Sequence, residues 1–368
     1  MQIFSNYPLR PLNTFGIEVF AREFTEVRTD AELQQIIKAN VKNSQRIYFL
    51  GGGSNILFKG DVDGLVIKIS TNGIEIIKED DEEVQIRVAA GEDWDKLVAY
   101  CVEKGWGGIE NLSGIPGQAG SSPIQNIGAY GAELKDVFVS LEAINRCTGK
   151  TIHYDAASCQ FGYRDSIFKG TLNERVVITQ LILRLHKKPV FNLSYQALKQ
   201  KLEHIQEKEI TLQAIRETVL QIRASKLPDP KVIGSAGSFF KNPMVNSALL
   251  EQLKEKFPGI VYYTSSQFAV GSSQSLDTDE SDTIDPGSTS GNRELGTANY
   301  KLAAGWLIEQ CGWKGFREGD AGVNKDQALV LVNYGKATGM DILDLAAKIQ
   351  RSVKEKFGVN LDREVNVV

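Results

Sequence analysis

The sequence predicts an α+β fold in two lobes, and three observations carry that reading. The first half alternates strand-like and helix-like segments. A sharp break falls at Leu227-Pro228-Asp229-Pro230, and the second half gathers helices and a strand around one long amphipathic helix. A chain of 368 residues has room for two or three domains, or a large domain and a smaller one. That length supports a core without disulfide or metal staples.

Each element has a local cause. Thr29-Asp30 opens a helix, because Leu33, Ile36 and Ile37 then recur at helical spacing. Arg46 to Leu50 (RIYFL) is β-branched or aromatic and runs into three glycines, a strand entering a tight turn. Gly64–Ile69 and Val84–Val88 read as further strands. Asp93 to Lys104 puts Trp94, Leu97, Val98, Cys101 and Val102 on one helical face, and Gly105 closes it. Strands are expected at Val139–Ile144 and Val176–Leu185. Beyond His186-Lys187-Lys188-Pro189 the composition turns charged, and Leu202 to Lys226 reads as helix up to the prolines. The second lobe is expected to hold helices at Ser247–Phe257 and Lys301–Cys311 and a strand at Ala328–Asn333. Its final helix carries the stripe Ile342, Leu345, Ala346, Ile349, Val353 and Phe357, with Gly358 as its cap.

Ser265 to Thr297 differs from all of this. It has six acids, one base and a single aromatic, Phe268. So polar a segment buries too little apolar area to offset its ordering entropy, which predicts a flexible insertion on the second lobe.

Composition narrows the function. With 46 acids against 42 bases the net charge is −4, unsuited to general nucleic-acid binding. The four cysteines (Cys101, Cys147, Cys159, Cys311) are far apart and form no C-x-x-C pair, which argues against a disulfide framework or a zinc site. No secretory signal pattern opens the chain, and the longest uncharged stretch, Asn111 to Ala132, is broken by Gly, Pro, Asn and Gln. A reduced, cytoplasmic, soluble protein is expected, with neither membrane nor nucleic acid as partner.

Several segments are candidates for chemistry. Gly51-Gly52-Gly53-Ser54-Asn55 follows a strand, where glycine lets backbone N–H groups approach phosphate oxygens. It is not G-x-G-x-x-G, since Ile56 stands at the last glycine's place, and on its residues alone an ordinary tight turn fits equally well. Asn111 to Gly131 is a long uncharged loop with Gly114, Gly117, Gly120, Gly128 and Gly131. Such a loop inside a compact domain either wraps a ligand or is a disordered linker; Ile115, Pro116, Ile124, Ile127 and Tyr130 argue for packing, and Ser121, Ser122 and Asn126 suit a large polar cofactor. Ser238, in GSAGSFFKNP, sits between a glycine and two aromatics, a placement suited to a hydroxyl in a tight, partly dry site. Phe240 leaves a G-x-S-x-G nucleophile elbow unsupported, and on residue counting alone a structural serine is the commoner answer. The three histidines (His153, His186, His204) are isolated, poor material for a triad or a metal site. Arg164, among aromatics, asks for an anionic partner if buried. Glu364 reads as an ordinary surface charge.

Taken together, the blocks Asn13–Gly16, Gly51–Asn55, Ile115–Gly131, Tyr163–Ser166, Lys226–Pro230, Ala236–Pro243, Ala303–Ile308 and Gln327–Asn333 resemble the UDP-N-acetylenolpyruvoylglucosamine reductase family (the MurB type). The resemblance spans nearly the whole chain, in the family's order. It implies an FAD-binding domain of the vanillyl-alcohol-oxidase (PCMH) type over 1–188. A tyrosine loop and linker follow over 189–230, and a smaller α+β substrate-binding domain over 231–368. It implies non-covalent FAD held by Gly51, Gly52, Gly53, Ser54, Asn55, Gly117, Gly120, Ser121, Ser122, Asn126 and Gly128. NADPH is the implied co-substrate and an enolpyruvyl UDP-sugar of peptidoglycan synthesis the substrate, for an enzyme working as a monomer.

The resemblance further implies hydride delivery from flavin N5 and a proton from Ser238, with Arg164 and Glu364 polarising the carboxylate. Tyr195, Lys226, Asn242, Tyr263, Lys314 and Gln327 are the implied substrate contacts; no metal is implied. The Asn-Leu-Ser-Tyr-Gln run around Tyr195 is similar to the tyrosine-loop type. The chain departs from many members at Asn324, where they carry histidine, and in the 265–297 stretch. Two other readings compete: a related FAD-dependent sugar or alcohol oxidase, and a non-catalytic flavin-binding protein. Neither needs Ser238, Arg164 and Glu364 together.

Overall fold

The computed structural model of the chain describes residues 2–40, 45–203, 206, 209–264 and 300–368. The expected insertion at 265–297 lies outside the described residues.

The first lobe rests on two sheets. One has four strands in the order Phe4–Pro8, Phe20–Val27, Val62–Ile69, Ile47–Leu50; the first pairing is antiparallel and the other two parallel. The other is antiparallel, ordered Thr151–Asp155, Phe138–Asn145, Val176–His186, Glu83–Ala89, Ile74–Glu79. Strand Glu83–Ala89 shows the driving pattern: Val84, Ile86 and Val88 alternate into the core while their neighbours stay partly exposed. Helix Asp30–Asn40 lays Leu33, Ile36 and Ile37 between the sheets, against Ile67 of one and Ile144 and Val177 of the other. Thr29 and Glu32 cap its start reciprocally: the N–H of Glu32 donates to Thr29 Oγ1 and that of Thr29 to Glu32 Oε2, both at 3.2 Å. Helix Trp94–Glu103 starts at Asp93, whose carboxylate accepts the Lys96 N–H, and ends before Gly105 at φ +74°.

The second lobe carries an antiparallel sheet ordered Gly234–Ser238, Val330–Asn333, Ala321–Val323, Arg317–Glu318. Helix Gly339–Phe357 packs on it through the expected apolar stripe, between a Thr338/Asp341 capping box and Gly358. A three-stranded sheet, Met244–Val245, Tyr300–Leu302, Tyr262–Tyr263, stands beside it. The lobes share a core, since Phe15, Leu57, Phe58 and Val66 join one cluster with Phe239, Phe240, Leu307, Ile342 and Phe357. The chain's end is stitched back to the first lobe, where Asn366–Val367 pairs in parallel with Ile56–Leu57. That pairing carries Glu364 to the glycine turn.

Two expectations are corrected. Leu202 to Lys226 is not one helix: Gln196–Leu202 and Leu212–Lys226 are separate, and Thr211 caps the second by accepting the Ala214 N–H. Lys301 is not helical. It lies in strand Tyr300–Leu302, opposite Met244 on one side and Tyr263 on the other, and the helix runs only over Ala304–Gln310. Pairing on both edges overrides the apolar spacing that follows it.

Candidate active site

The site begins with backbone. Strand Ile47–Leu50 ends in Gly51–Gly53, and three segments meet there too closely for side chains. A Cβ on Gly52 would lie 3.0 Å from Gly117 Cα, and one on Gly53, at φ +65°, 1.9 Å from the Leu12 carbonyl oxygen. Ser54 donates to the Pro116 carbonyl at 2.9 Å, joining this turn to the long loop. The amide of Gln118 donates from Nε2 to the carbonyls of Ile69 and Gly91, both at 3.0 Å. Its Oε1 is buried without a partner among the described residues. The N–H groups of Gly52, Gly53 and Ser54 likewise find no acceptor among the described residues. The clustered N–H donors fit an anion such as the FAD pyrophosphate, while the orphaned Gln118 oxygen, an acceptor, suits a donor on the cofactor such as a hydroxyl.

The rest of the long loop is held by its own side chains. Ser121 donates to the Gln118 carbonyl at 2.7 Å and Ser122 to that of Ala119 at 2.6 Å. Asn126 donates to Glu133 Oε2 and the Gly162 carbonyl and accepts from the Lys135 N–H. These three side chains shape the loop.

Three cavities border the turn; the largest, about 790 Å³, runs along Arg10–Gly16 and Gly117, and two smaller ones lie beside it. One of about 370 Å³ follows Gly51–Asn55, Gly120 and Ser121. The other, about 440 Å³, is lined by Ser54, Asn55, Gly128, Arg223, Arg164, Ser238 and Glu364. Arg164 is held in the left-handed region at φ +52°. Its Nη2 donates to the Gly128 carbonyl at 2.5 Å, and its Nε lies 3.1 Å from Glu364 Oε1. The glutamate is no surface charge: its side chain is 14% exposed. Its own N–H donates to the Phe239 carbonyl at 2.8 Å, which fixes it beside Ser238. Ser238 closes a strand irregularity that begins at Ser235 and contains Gly237 at φ +71°.

None of the expected substrate contacts lines this cleft. Tyr195 starts helix Gln196–Leu202 and meets the Tyr130 ring edge-to-face at 5.0 Å. Lys226 ends helix Leu212–Lys226, exposed, just before the cleft-lining Leu227–Pro230. Asn242 accepts the Ala304 N–H at 2.9 Å and bonds the Tyr163 hydroxyl. Tyr263 is 40% exposed. Lys314 is ion-paired with Glu309 at 3.0 Å. Asn324 accepts the N–H groups of Asp326 and Gln327 and so holds the Gln327 backbone.

Two groups escape sequence reasoning. Lys301 is buried with its Nζ 3.5 Å from the Tyr163 ring centroid. Burial, and then the nearby Arg164, pull its pKa down to about 8. A lone lysine directly before the Leu302-Ala303-Ala304-Gly305 run was the available signal. Arg223 lines the cleft and bonds the Tyr130 hydroxyl; burial lowers its pKa. Its position on the same helix as Lys226 is the corresponding signal.

A cradle for a large anionic cofactor, opening on a cleft with a hydroxyl and a buried arginine–carboxylate pair, defines a two-lobed FAD-binding oxidoreductase. Comparison with known proteins agrees in both lobes. The FAD binding domain family matches residues 22–155, and the C-terminal domain family of UDP-N-acetylenolpyruvoylglucosamine reductase matches residues 229–368. The chain is 45% identical to the UDP-N-acetylenolpyruvoylglucosamine reductase of Flavobacterium johnsoniae and 43% identical to that of Amoebophilus asiaticus, over 100% of each chain. The crystal structure of the Thermus caldophilus reductase shares the fold at a TM-score of 0.63, 22% identity, covering 100% of this chain and 98% of that one. The chain belongs to the UDP-N-acetylenolpyruvoylglucosamine reductase family.

Proposed function

We propose that the protein reduces the enolpyruvyl group of UDP-N-acetyl-3-O-(1-carboxyvinyl)-glucosamine to the lactyl group of UDP-N-acetylmuramate, with NADPH as reductant. The carrying observation is one cleft that holds Ser238, Arg164 and Glu364 against the glycine turn. FAD, when bound, takes up the reducing equivalents of NADPH and hands them to the terminal enolpyruvyl carbon. Gly51–Asn55, with Gly117 and Gly120, would hold it.

The chain's own residues do the rest. Addition at the terminal carbon leaves negative charge on the adjacent carbon and the carboxylate. Arg164, already aligned by Gly128 and Glu364, meets that charge in a partly dry cleft, where such stabilisation is worth a few kcal/mol. Ser238 gives its hydroxyl proton to the carbanion, a transfer that a neutral alcohol makes only to a strong base. The cations Lys226 and Lys301 and the side chains of Tyr195, Asn242, Tyr263, Lys314 and Gln327 receive the nucleotide diphosphate and its sugar. We divide the chain at 188 and 230 and read it as a cytoplasmic monomer acting on small molecules. No described helix is long and apolar enough to cross a membrane.

Anaerobic half-reactions test the reading. NADPH should bleach the yellow protein, and the enolpyruvyl UDP-sugar should then restore the colour. Bleaching by a sugar or alcohol in place of NADPH would contradict it and favour an oxidase.

A further inference from the structure

Lys169 has no part in the chemistry above, yet it sits where the site's segments converge. Its Nζ lies 3.3 Å from the main-chain carbonyl oxygen of Glu364 and 3.4 Å from Gln125 Oε1. Asn55 Nδ2 reaches the same two oxygens, at 3.4 and 3.0 Å. Two donors and two acceptors thus tie together the glycine turn, the long loop, the segment after Arg164 and the chain's final stretch. The ammonium is half-buried, and both of its acceptors are neutral oxygens. Burial lowers its pKa, and the charges around it are Lys241, Glu364, Asp165 and Arg164. A half-buried ammonium spent on neutral carbonyls is a costly way to fill space.

The position of Glu364 explains the need. Glu364 lies between the Phe240–Arg363 bridge and the Asn366–Val367 pairing with Ile56–Leu57, and a main-chain carbonyl at such a junction needs its own donor. The Phe239 carbonyl holds its N–H and Arg164 holds its carboxylate; its C=O is left for Lys169 and Asn55. We propose that Lys169 is a positioning residue, which fixes the main chain of Glu364 so that its carboxylate stays against Arg164 in the cleft. This rests on Glu364 acting in the reaction as proposed above.

The test uses the full-length, flavin-loaded enzyme and the variants Lys169→Met, Lys169→Arg, Glu364→Gln and the double variant Lys169→Met/Glu364→Gln. Bleaching by NADPH should stay within about twofold in Lys169→Met, because that half-reaction does not use Glu364. Reoxidation by the enolpyruvyl UDP-sugar should slow about 10- to 100-fold, the scale of a small misplacement of a catalytic group. Lys169→Arg, which keeps a charged donor, should recover most of the rate. In the Glu364→Gln background the methionine should add less than about threefold, since no carboxylate remains to be positioned. Amide hydrogen exchange across residues 361–368 should quicken in Lys169→Met at unchanged flavin content. Additive losses in the double variant, or normal reoxidation in Lys169→Met beside a slowed Glu364→Gln, would overturn the inference alone. Normal reoxidation in Glu364→Gln would overturn the site reading and the inference with it.

Discussion

Arg164 Nε stands 3.1 Å from Glu364 Oε1, an ion pair that closes the cleft between a loop of the first lobe and the end of the chain. The side chains are 21% and 14% exposed, so neither charge is freely solvated. Removing one partner strands the other. Arg164→Met should therefore cost more stability than the ~0–1 kcal/mol of a surface pair and less than the ~3–5 kcal/mol of a fully buried one. Urea unfolding of both proteins checks this. A loss below the surface range would mean that the pair is not formed in solution.

The glycine turn predicts a cofactor phenotype. Gly53→Ala places a methyl group against the Leu12 carbonyl in a backbone region that only glycine adopts easily. Gly120→Ala meets Ala90 Cβ at 2.5 Å. Both variants should purify with far less bound flavin, read from the absorbance ratio near 450 and 280 nm (about zero for Gly53→Ala). Full flavin content in Gly53→Ala would show that this turn does not form the cradle.

Flavin attachment should be non-covalent. Covalent links in this fold usually use histidine or cysteine, and among the described residues neither type lines the three cavities around the turn. Acid precipitation is expected to leave all yellow colour in the supernatant, and colour in the pellet would contradict the prediction.

Lys301 predicts a trade between stability and binding. Its pKa in the folded protein is about 8, against 10.5 for the free side chain, so the folded state disfavours the charge. Below about pH 8 both states are protonated and the full burial cost is present. Between there and 10.5 the unfolded chain binds more protons, so this cost fades as pH rises. Lys301→Met should raise Tm at pH 7 by about 2–4 °C, with a smaller gain at pH 10, while raising KM for the UDP-sugar. Equal Tm gains at both pH values would mean that Lys301 is not electrostatically strained.

Much of this architecture is readable from the sequence where one face is buried. The final helix and its glycine cap, the helix after Asp93 and the strand Val176–His186 all follow from their apolar period. Phe4–Pro8 and Ile74–Glu79 do not, because most of their side chains are exposed and they lie at sheet edges. The site divides the same way. The glycine segments announce themselves, since close backbone approach demands that residue type. Glu364 carries no local pattern; it becomes a site residue only when the tail pairs with Ile56–Leu57. Lys301 is hidden by the strand pairing that buries it.

The central claim is that Ser238 supplies the proton, and separate half-reactions of Ser238→Ala measure it most directly. In that role the hydroxyl would act only after the reducing equivalents have left the flavin. Stopped-flow bleaching by NADPH should therefore match the parent enzyme, while reoxidation by the enolpyruvyl UDP-sugar should fall by about 10²–10⁴-fold, the usual worth of general acid catalysis. Ser238→Cys should restore part of that rate, because a thiol also carries a proton. Equal losses in both half-reactions would mean that the site has collapsed, and unimpaired reoxidation would remove Ser238 from the reaction.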